Sequence, residues 1–418
     1  MRSYTRQYDV ALLGATGFTA TLVAQVFAAT LTSEIRWLIA GRNYDKLRGL
    51  LEKLRKLNPE GPVPDIQSID VVNDNLTELA RSTKVIVNAI GPYTRYGRPV
   101  VEACAANGTS YVDFSTETPW IEEMILIYHD LARENHATII PAIGNSSSPS
   151  ALIALLLADQ YRILHGNDVR EIVSCYGMKI NGMSGGSLSS VVDVVDTYGI
   201  RHLLSPNPYR LCPSKETKLS QTPTSIPFLG HIKDPILGHL ATSFTAPGNE
   251  AIVNRSQHPQ QSIAQHPSFI YKEYMPATST LQAIAIHMLT KLGILMLALR
   301  PFRTLLNRLK PASGSGPSAE ITRTEKLAIT AVARGEDGKE LVAEYIYNGP
   351  MYYHTAILGT AAVAVLLELW RGTDRDDSGG DAGQRRDPDM SGILTPSCLG
   401  MPFVERLRAA GVKFDVLV

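Results

Sequence analysis

Gly14, Gly17 and Ala20 stand three residues apart in LLGATGFTATLVA (12–24). That spacing suits a backbone cradle for a pyrophosphate. A glycine at 14 allows a sharp turn after a strand. Gly17 lets the backbone approach phosphate oxygens, and Ala20 is small enough for a helix to pack on the strand. Thr16, Phe18 and Thr19 complete the turn and open that helix, whose positive end would face the anion. A plain strand-to-helix turn is the competing reading. A second cue lies at AGRN (40–43), where a cradle for NAD normally ends its second strand with Asp or Glu for the ribose hydroxyls. Arg42 stands there instead, with Lys46 near it. A guanidinium matches a 2′-phosphate in charge and in its forked geometry, so the pair favours NADPH.

Other candidates sit where later strands end. Asp70 closes a third strand and is placed to meet adenine or to cap its own turn. Asn88-Ala89-Ile90-Gly91-Pro92-Tyr93 closes a fourth. Its small residues would let the chain pass close to a nicotinamide, with Asn88, Gly91 and Pro92 against the cofactor and Tyr93 shaping the pocket. MSGGSLSS (183–190) places Ser184 and Ser187 at a helix start, where backbone N–H groups could meet an anionic oxygen. No Tyr-x-x-x-Lys pair is present: Tyr93 is followed four residues on by Gly97, and Tyr111 by Ser115. His354 follows two tyrosines and reads as a core or capping histidine.

The elements that must position these residues follow a strict rhythm up to about residue 145. Strand-like runs at 8–14, 36–41, 66–71, 84–91, 109–115 and 137–144 alternate with helical stretches at 19–31, 44–57, 76–81, 98–107 and 120–135. Apolar strands in such alternation imply a parallel sheet covered on both faces. The expected fold is α/β: an N-terminal Rossmann doubly wound sheet over 1–148, then a second mixed α/β domain over 149–354. Within the second domain, 150–161 reads as an apolar helix, 171–180 as a strand and 184–199 as a helix. Residues 200–275 look irregular, and 320–347 is a hairpin turning near Gly335 to Gly338. Helices at about 355–370 and 401–410 are expected to return to the first domain as a C-terminal segment, 355–418. A charged, glycine-rich loop at 373–390 is expected to be disordered.

Composition narrows the class. The chain has 418 residues, 44% hydrophobic, with Lys+Arg and Asp+Glu both 40 and a formal net charge of +0. Nothing in that balance points to nucleic acid. Cys104, Cys175, Cys212 and Cys398 are scattered without metal-ligand spacing, so a zinc site and a disulfide framework are both disfavoured. Reduced cysteines and the absence of a signal-peptide core near the first residues point to the cytoplasm. LQAIAIHMLTKLGILMLALR (281–300) is long and apolar, holds His287 and Lys291, and is followed by basic PFRTLLNRLKP. A core or interfacial helix is expected there rather than a span, and a peripheral membrane contact through 281–310 stays open.

The glycine turn, AGRNYDKL, VNAIGPYTRYGRPVVEACAANGTSYVDFSTE (87–117) and GNSSSPS (144–150) resemble the saccharopine-dehydrogenase-like oxidoreductases, above all their trans-acting enoyl reductases. NEAIVNRS (249–256), FIYKEYM (269–275), YNGPMYYHTA (347–356) and 392–414 extend the likeness along nearly the whole chain. The resemblance implies NADPH as cofactor and a polyketide synthase as partner, with reduction of an α,β-unsaturated thioester on the growing chain. Hydride would go to Cβ and a proton to Cα, and the developing enolate would need a hydrogen-bond donor. Ser184, Ser187, Tyr93 and Asn249 are candidates for that work. Arg255 and Ser256 could meet the carrier arm's phosphate, against a structural ion pair for Arg255. Relatives usually carry aspartates where this chain has Ser146 and Ala151, which leaves those roles vacant or passed to Ser146 or Asn145. A reductase of another lipid-like substrate, a lipid-associated member without this activity and a true saccharopine reductase are the alternatives. A homodimer stays open.

Overall fold

Apolar runs flanked by helices bury both faces of a sheet, and the first sheet is built this way. The computed structural model describes residues 6–204, 207–212, 229–257, 268–312, 314–376 and 390–417. Six strands come from the N-terminal part: β1 (Tyr8–Leu13), β2 (Trp37–Gly41), β3 (Asp65–Ser68), β4 (Thr83–Asn88), β5 (Ser110–Asp113) and β6 (Thr138–Ile140). Their spatial order is β6-β5-β4-β1-β2-β3, all parallel, so the winding reverses between β1 and β4. Val10 and Leu12 of β1 face a layer that includes Val23, Phe27, Leu47 and Leu50. Ala11 and Leu13 face Val100, Val101, Trp120 and Ile121 on the other side. Each large apolar side chain so buried stabilises the fold by roughly 1.5–3 kcal/mol. Ligands of such sheets bind outside the carboxyl ends of the strands at the reversal.

The second sheet is mixed. It uses β7 (Val169–Lys179), β8 (His231–Asp234), β9 (Gly238–Thr242), β10 (Ile270–Ala277), β11 (Lys326–Gly335) and β12 (Glu340–Asn348). A seventh strand, Lys413–Leu417, pairs antiparallel with β12 at its edge. β7 and β10 run parallel, and the other pairs are antiparallel. The helix Ser148–His165 packs on the second sheet, with Leu152, Ile153, Leu156 and Leu157 in a core shared with Ile172, Ile329 and Ala343.

Several expectations change here. Residues 200–275 are not simply irregular: the described part holds β8, β9, the helix Ala246–Ser256 and the start of β10. HIKD and GHLAT are short and rich in polar residues, so alternation does not announce them; they pair with each other as a local hairpin, which β10 holds on the sheet through β9. The C-terminal segment divides between the sheets. The long helix Met351–Asp376 begins before residue 355 and packs on the helix Phe18–Thr30 and on β4. The two-residue strand Gly392–Ile393 joins β6 at the edge of the first sheet. Its last strand instead belongs to the second sheet, where Phe414 is fully buried. Of the expected loop 373–390, residues 373–376 are helical, and 377–389 lie outside the described residues.

Among the described residues, two helices are long and apolar enough to cross a membrane. Met351–Arg371 is mostly buried and is a core helix. Thr280–Ala298 is mostly exposed, so the core alternative is wrong for it. Ala283, His287, Ile294 and Leu297 are its buried positions, facing β9 and its surroundings. All four cysteines are free thiols.

Candidate active site

Where β1 ends, Gly14 takes φ +72°, a conformation that L side chains rarely adopt. A Cβ there would also lie 2.7 Å from the Ile90 side chain, which joins this turn to the end of β4. Gly17 N-caps the helix Phe18–Thr30 and brings no side chain to its first-turn N–H groups. A Cβ at 17 would crowd the Gly14 carbonyl at 3.1 Å, and Ala20 is buried beneath. A close backbone, glycines at both bends and uncapped N–H groups at a helix start fit a pyrophosphate. Arg42 and Lys46 are exposed where β2 passes into the next helix. The Arg42 guanidinium takes no hydrogen bond or ion pair among the described residues. Asp70 spends its carboxylate on its own turn, accepting Val72 N–H at 3.1 Å and Asn73 Nδ2 at 2.9 Å. Those bonds, with the charge of Arg42 behind them, hold it below the usual carboxylate range.

A cleft of about 780 Å³, partly open to solvent, lies at the carboxyl ends of β1, β4, β5 and β6. Thr19, Ala89, Gly91, Ser115 and Ser146 line one side. Ser184, Ser187 and Ser190 line the other, from the helix Gly185–Tyr198, and Tyr352 and Thr355 come from the helix Met351–Asp376. Among the described residues, no lining side chain is charged, and the phenols of Tyr93 and Tyr352 are the titratable groups on the wall.

The Tyr93 phenol is fully engaged. It donates to the Asn88 carbonyl and accepts Phe114 N–H, both at 3.1 Å, while its ring packs on Trp120. Burial, then the nearby Asp113, pushes its pKa well above the ordinary value. Tyr93 as a proton donor is therefore a correction: its one proton already has an acceptor. Asn88 is corrected likewise, because its amide donates to Tyr111 Oη at 3.2 Å and accepts Ile90 N–H at 3.1 Å with no exposed atom. Pro92 is buried after a cis peptide from Gly91. Of this run, Ala89, Gly91 and the Tyr93 ring reach the cleft. Glu117 ties the wall together. It accepts Tyr93 N–H at 2.9 Å, Thr94 N–H at 2.7 Å and the Thr94 hydroxyl, and Ser190 Oγ donates to it at 2.6 Å.

Ser184 N-caps its helix, its Oγ accepting Ser187 N–H at 3.2 Å. Its own N–H donates to Tyr352 Oη at 2.7 Å, and Ser187 Oγ lies 3.0 Å from the same oxygen. Phe18 meets the Tyr352 ring edge-on at 5.1 Å, which ties the glycine turn to this cluster. Two contacts hold the backbone at Tyr352. Glu325 accepts Met351 N–H at 2.7 Å, and Asn145 Nδ2 donates to the Met351 carbonyl at 3.1 Å.

Asn249 lies behind the wall, not on it. Ser146 and Ser147 donate to its Oδ1 at 3.4 and 3.1 Å, and its Nδ2 donates to Glu273 Oε1 at 2.8 Å. Glu273 also accepts Ser150 Oγ at 2.7 Å, and burial pushes its pKa up to about 7. At the two positions where relatives carry aspartates, Ser146 lines the cleft and Ala151 is buried in an apolar core. Arg255 is a further correction. It is 3% exposed, and it donates to the carbonyls of Leu211 at 2.6 Å and Ile393 at 2.8 Å, so it is turned from the cleft, and no carboxylate pairs with it among the described residues. Ser256 Oγ donates to the Ile252 carbonyl and pairs with Thr395, also away from the cleft. His354 is buried, stacked on Tyr347 and bonded to Tyr345 Oη at 2.7 Å; burial lowers its pKa to about 3. Tyr352, Glu117 and Glu273 were not singled out by sequence reasoning. Tyr352 stands two residues before His354 in the YNGPMYYHTA block, the one local signal that could have found it.

A family model described as the saccharopine dehydrogenase NADP binding domain matches residues 10–140. A protein named trans-acting enoyl reductase from Mycobacterium ulcerans is 30% identical over 433 aligned positions, covering 99% of this chain and 98% of that one. A Mycobacterium tuberculosis protein of the same name is 29% identical, covering 97% of each chain. Among solved structures, the apo saccharopine dehydrogenase (L-Glu forming) of Saccharomyces cerevisiae shares the fold, with a TM-score of 0.51 at 14% identity over 98% of this chain and 100% of that one. With a parallel seven-stranded sheet, a glycine cradle and a second mixed sheet, the chain is an NADP(H)-dependent oxidoreductase and belongs to the saccharopine-dehydrogenase-like family, in the group that holds the trans-acting enoyl reductases.

Proposed function

We propose that this protein reduces the carbon–carbon double bond of an α,β-unsaturated thioester on a chain carried by a polyketide synthase, with NADPH as reductant. The observation that carries this reading is the chemistry of the cleft wall: hydroxyls, an amide, aromatic rings and small groups, with no charged side chain among the described residues. An amino-acid adduct of the saccharopine kind brings carboxylates and an amine, which call for paired charges when buried. A neutral enoyl thioester calls for none. The relatives' name, trans-acting enoyl reductase, supports the same substrate class. In this reading the turn Gly14–Thr19 holds the pyrophosphate, Arg42 and Lys46 meet the 2′-phosphate, and Asp70 borders the adenine. Ala89 and Gly91 border the nicotinamide, and Pro92, buried behind them, shapes the turn. NADPH supplies hydride when bound. The chain's residues bind and orient the cofactor, and Ser184, Ser187 and Tyr352 face the carbonyl end of the substrate.

The enzyme works in the cytoplasm and touches an anionic lipid surface through 281–310. Leu281, Met288, Leu289, Leu292, Leu295 and Leu299 are 52–80% exposed on one helix. Residues 280–310 hold Lys291, Arg300, Arg303, Arg308 and Lys310 and no acidic residue. That pairing of apolar face and positive charge suits an interfacial helix.

The function is tested by NADPH oxidation in the presence of crotonyl-pantetheine, with the saturated thioester as product. Turnover of an imine formed from a 2-oxo acid and an amino acid, with no turnover of the thioester, would overturn it.

A further inference from the structure

Reduction of an enoyl thioester leaves an electron pair shared between Cα and the carbonyl oxygen, and a proton must reach Cα. The wall of the cleft offers few sources. The Tyr93 hydroxyl donates its hydrogen bond to the Asn88 carbonyl, and the Ser190 hydroxyl donates to Glu117. Alkyl hydroxyls are far weaker acids than phenols. One phenol on the wall has its oxygen set up differently. Tyr352 Oη accepts Ser184 N–H at 2.7 Å, and its other hydrogen-bond neighbour among the described residues is the Ser187 hydroxyl, which can give or take a proton, rather than a carbonyl that can only accept. That N–H is the N-cap amide of a 14-residue helix, pointing at the oxygen on which charge would appear. Ser187 Oγ, half-buried at 3.0 Å, is the neighbour able to exchange a proton with it. Phe18, Asn145 and Glu325 hold the ring and backbone in place.

We propose that Tyr352 is the catalytic proton donor, with Ser184 N–H stabilising its oxygen and Ser187 returning the proton. This rests on the enoyl-thioester reading. The Oη–H bond breaks, its electron pair stays on Oη, and the enolate's electron pair forms the new Cα–H bond. Solvent then restores the phenol through Ser187. The two electrons of the reduction come with the hydride from NADPH, and no other reductant is needed.

The test compares the full-length protein with Tyr352→Phe. The expected result is a kcat for crotonyl-pantetheine lower by about 100-fold or more. Affinities for NADPH and for butyryl-pantetheine, followed by fluorescence and calorimetry, should stay within about two-fold because the phenol acts in the transition state. In D2O the wild type should place deuterium on one face of Cα, and the residual reaction of the variant on both. A variant within about three-fold of wild type, delivering deuterium to the same face, overturns the donor and leaves the enoyl reading intact. A wild type that binds NADPH but reduces no enoyl thioester sinks that reading, and the donor with it. Should Tyr352→Phe lose its fold or its NADPH affinity, Ser187→Ala and Ser187→Thr decide. Loss of about ten-fold in kcat with Ala and recovery with Thr supports the relay to Tyr352, and a wild-type rate with Ala overturns it.

Discussion

Arg42 decides the cofactor on this reading, because its guanidinium is exposed beside the cradle and no carboxylate occupies the end of β2. Charge-assisted bonds to a phosphate are worth roughly 1.5–3 kcal/mol, which is about a 10- to 100-fold change in affinity. Arg42→Ala should therefore weaken NADPH by that factor and leave NADH within about two-fold, as read by cofactor fluorescence. Equal weakening of both would remove the phosphate from its role. The bends at Gly14 and Gly17 and an exposed cation at Arg42 were legible because backbone freedom and fixed charge belong to residue type. Asn88, Tyr93 and Arg255 were not. Their types suited a ligand, but their polar atoms are consumed by Tyr111, Asn88 O, Phe114 N, Leu211 O and Ile393 O, partners that sequence spacing does not reveal.

At the scale of elements, the helix Thr280–Ala298 leaves its apolar face uncovered. Leu281, Ala285, Met288, Leu292, Leu295 and Leu299 recur at steps of four and three, so they form one stripe. Arg303 is tied to Asp196 at 2.7 Å, which fixes the following helix Arg300–Leu309 beside the Gly185–Tyr198 helix of the cleft. Vesicles of phosphatidylglycerol and phosphatidylcholine should sediment the wild type and not Leu289→Glu/Leu292→Glu. Both positions are exposed, so the variant's Tm should not move by more than about 2 °C. If the wild type ignores vesicles but forms dimers that the same variant dissolves, a second copy covers the stripe instead. The apolar run was plain in the sequence. Which of its faces would stay exposed was not, because that depends on where β9 and β10 come to lie.

For the whole molecule, buried titratable groups give opposed pH dependences. Burial raises Asp113 to about 7 against its Ser115 and Ala142 N–H bonds, and raises Glu273 to about 7. The fold keeps protons on both that the unfolded chain releases near pH 4, so their contribution falls as pH rises from about 4 to 7. Burial, helped at His129 by Arg255, lowers His129 to about 4 and His354 to about 3. The unfolded chain keeps those protons up to about pH 6.5, so the histidine contribution grows as pH rises to that point. The wild-type Tm should be nearly level between about pH 4.5 and 6.5 and fall above it. Glu273→Gln should make it climb with pH across that window, and His354→Phe should make it decline. Parallel curves for the three proteins would show that these groups do not titrate with folding.

The sequence by itself determined the first sheet, the glycine cradle and the family, because each rests on short-range facts: strand–helix alternation, glycine φ freedom and ordered blocks of similar residues. The hairpin β11–β12 was legible for the same reason. The tertiary structure alone decided that Lys413–Leu417 completes the second sheet, that β8 and β9 exist within 200–275, and that Asn249 stands behind Ser146 and Ser147. It also decided what each phenol of the cleft wall is bonded to. Tyr93 and Tyr352 are 259 positions apart in a numbering that runs from Met1 to Val418. Their hydroxyls differ through what folding sets against them: each accepts an N–H, but one donates to a carbonyl, while the other meets a serine hydroxyl that can accept or donate.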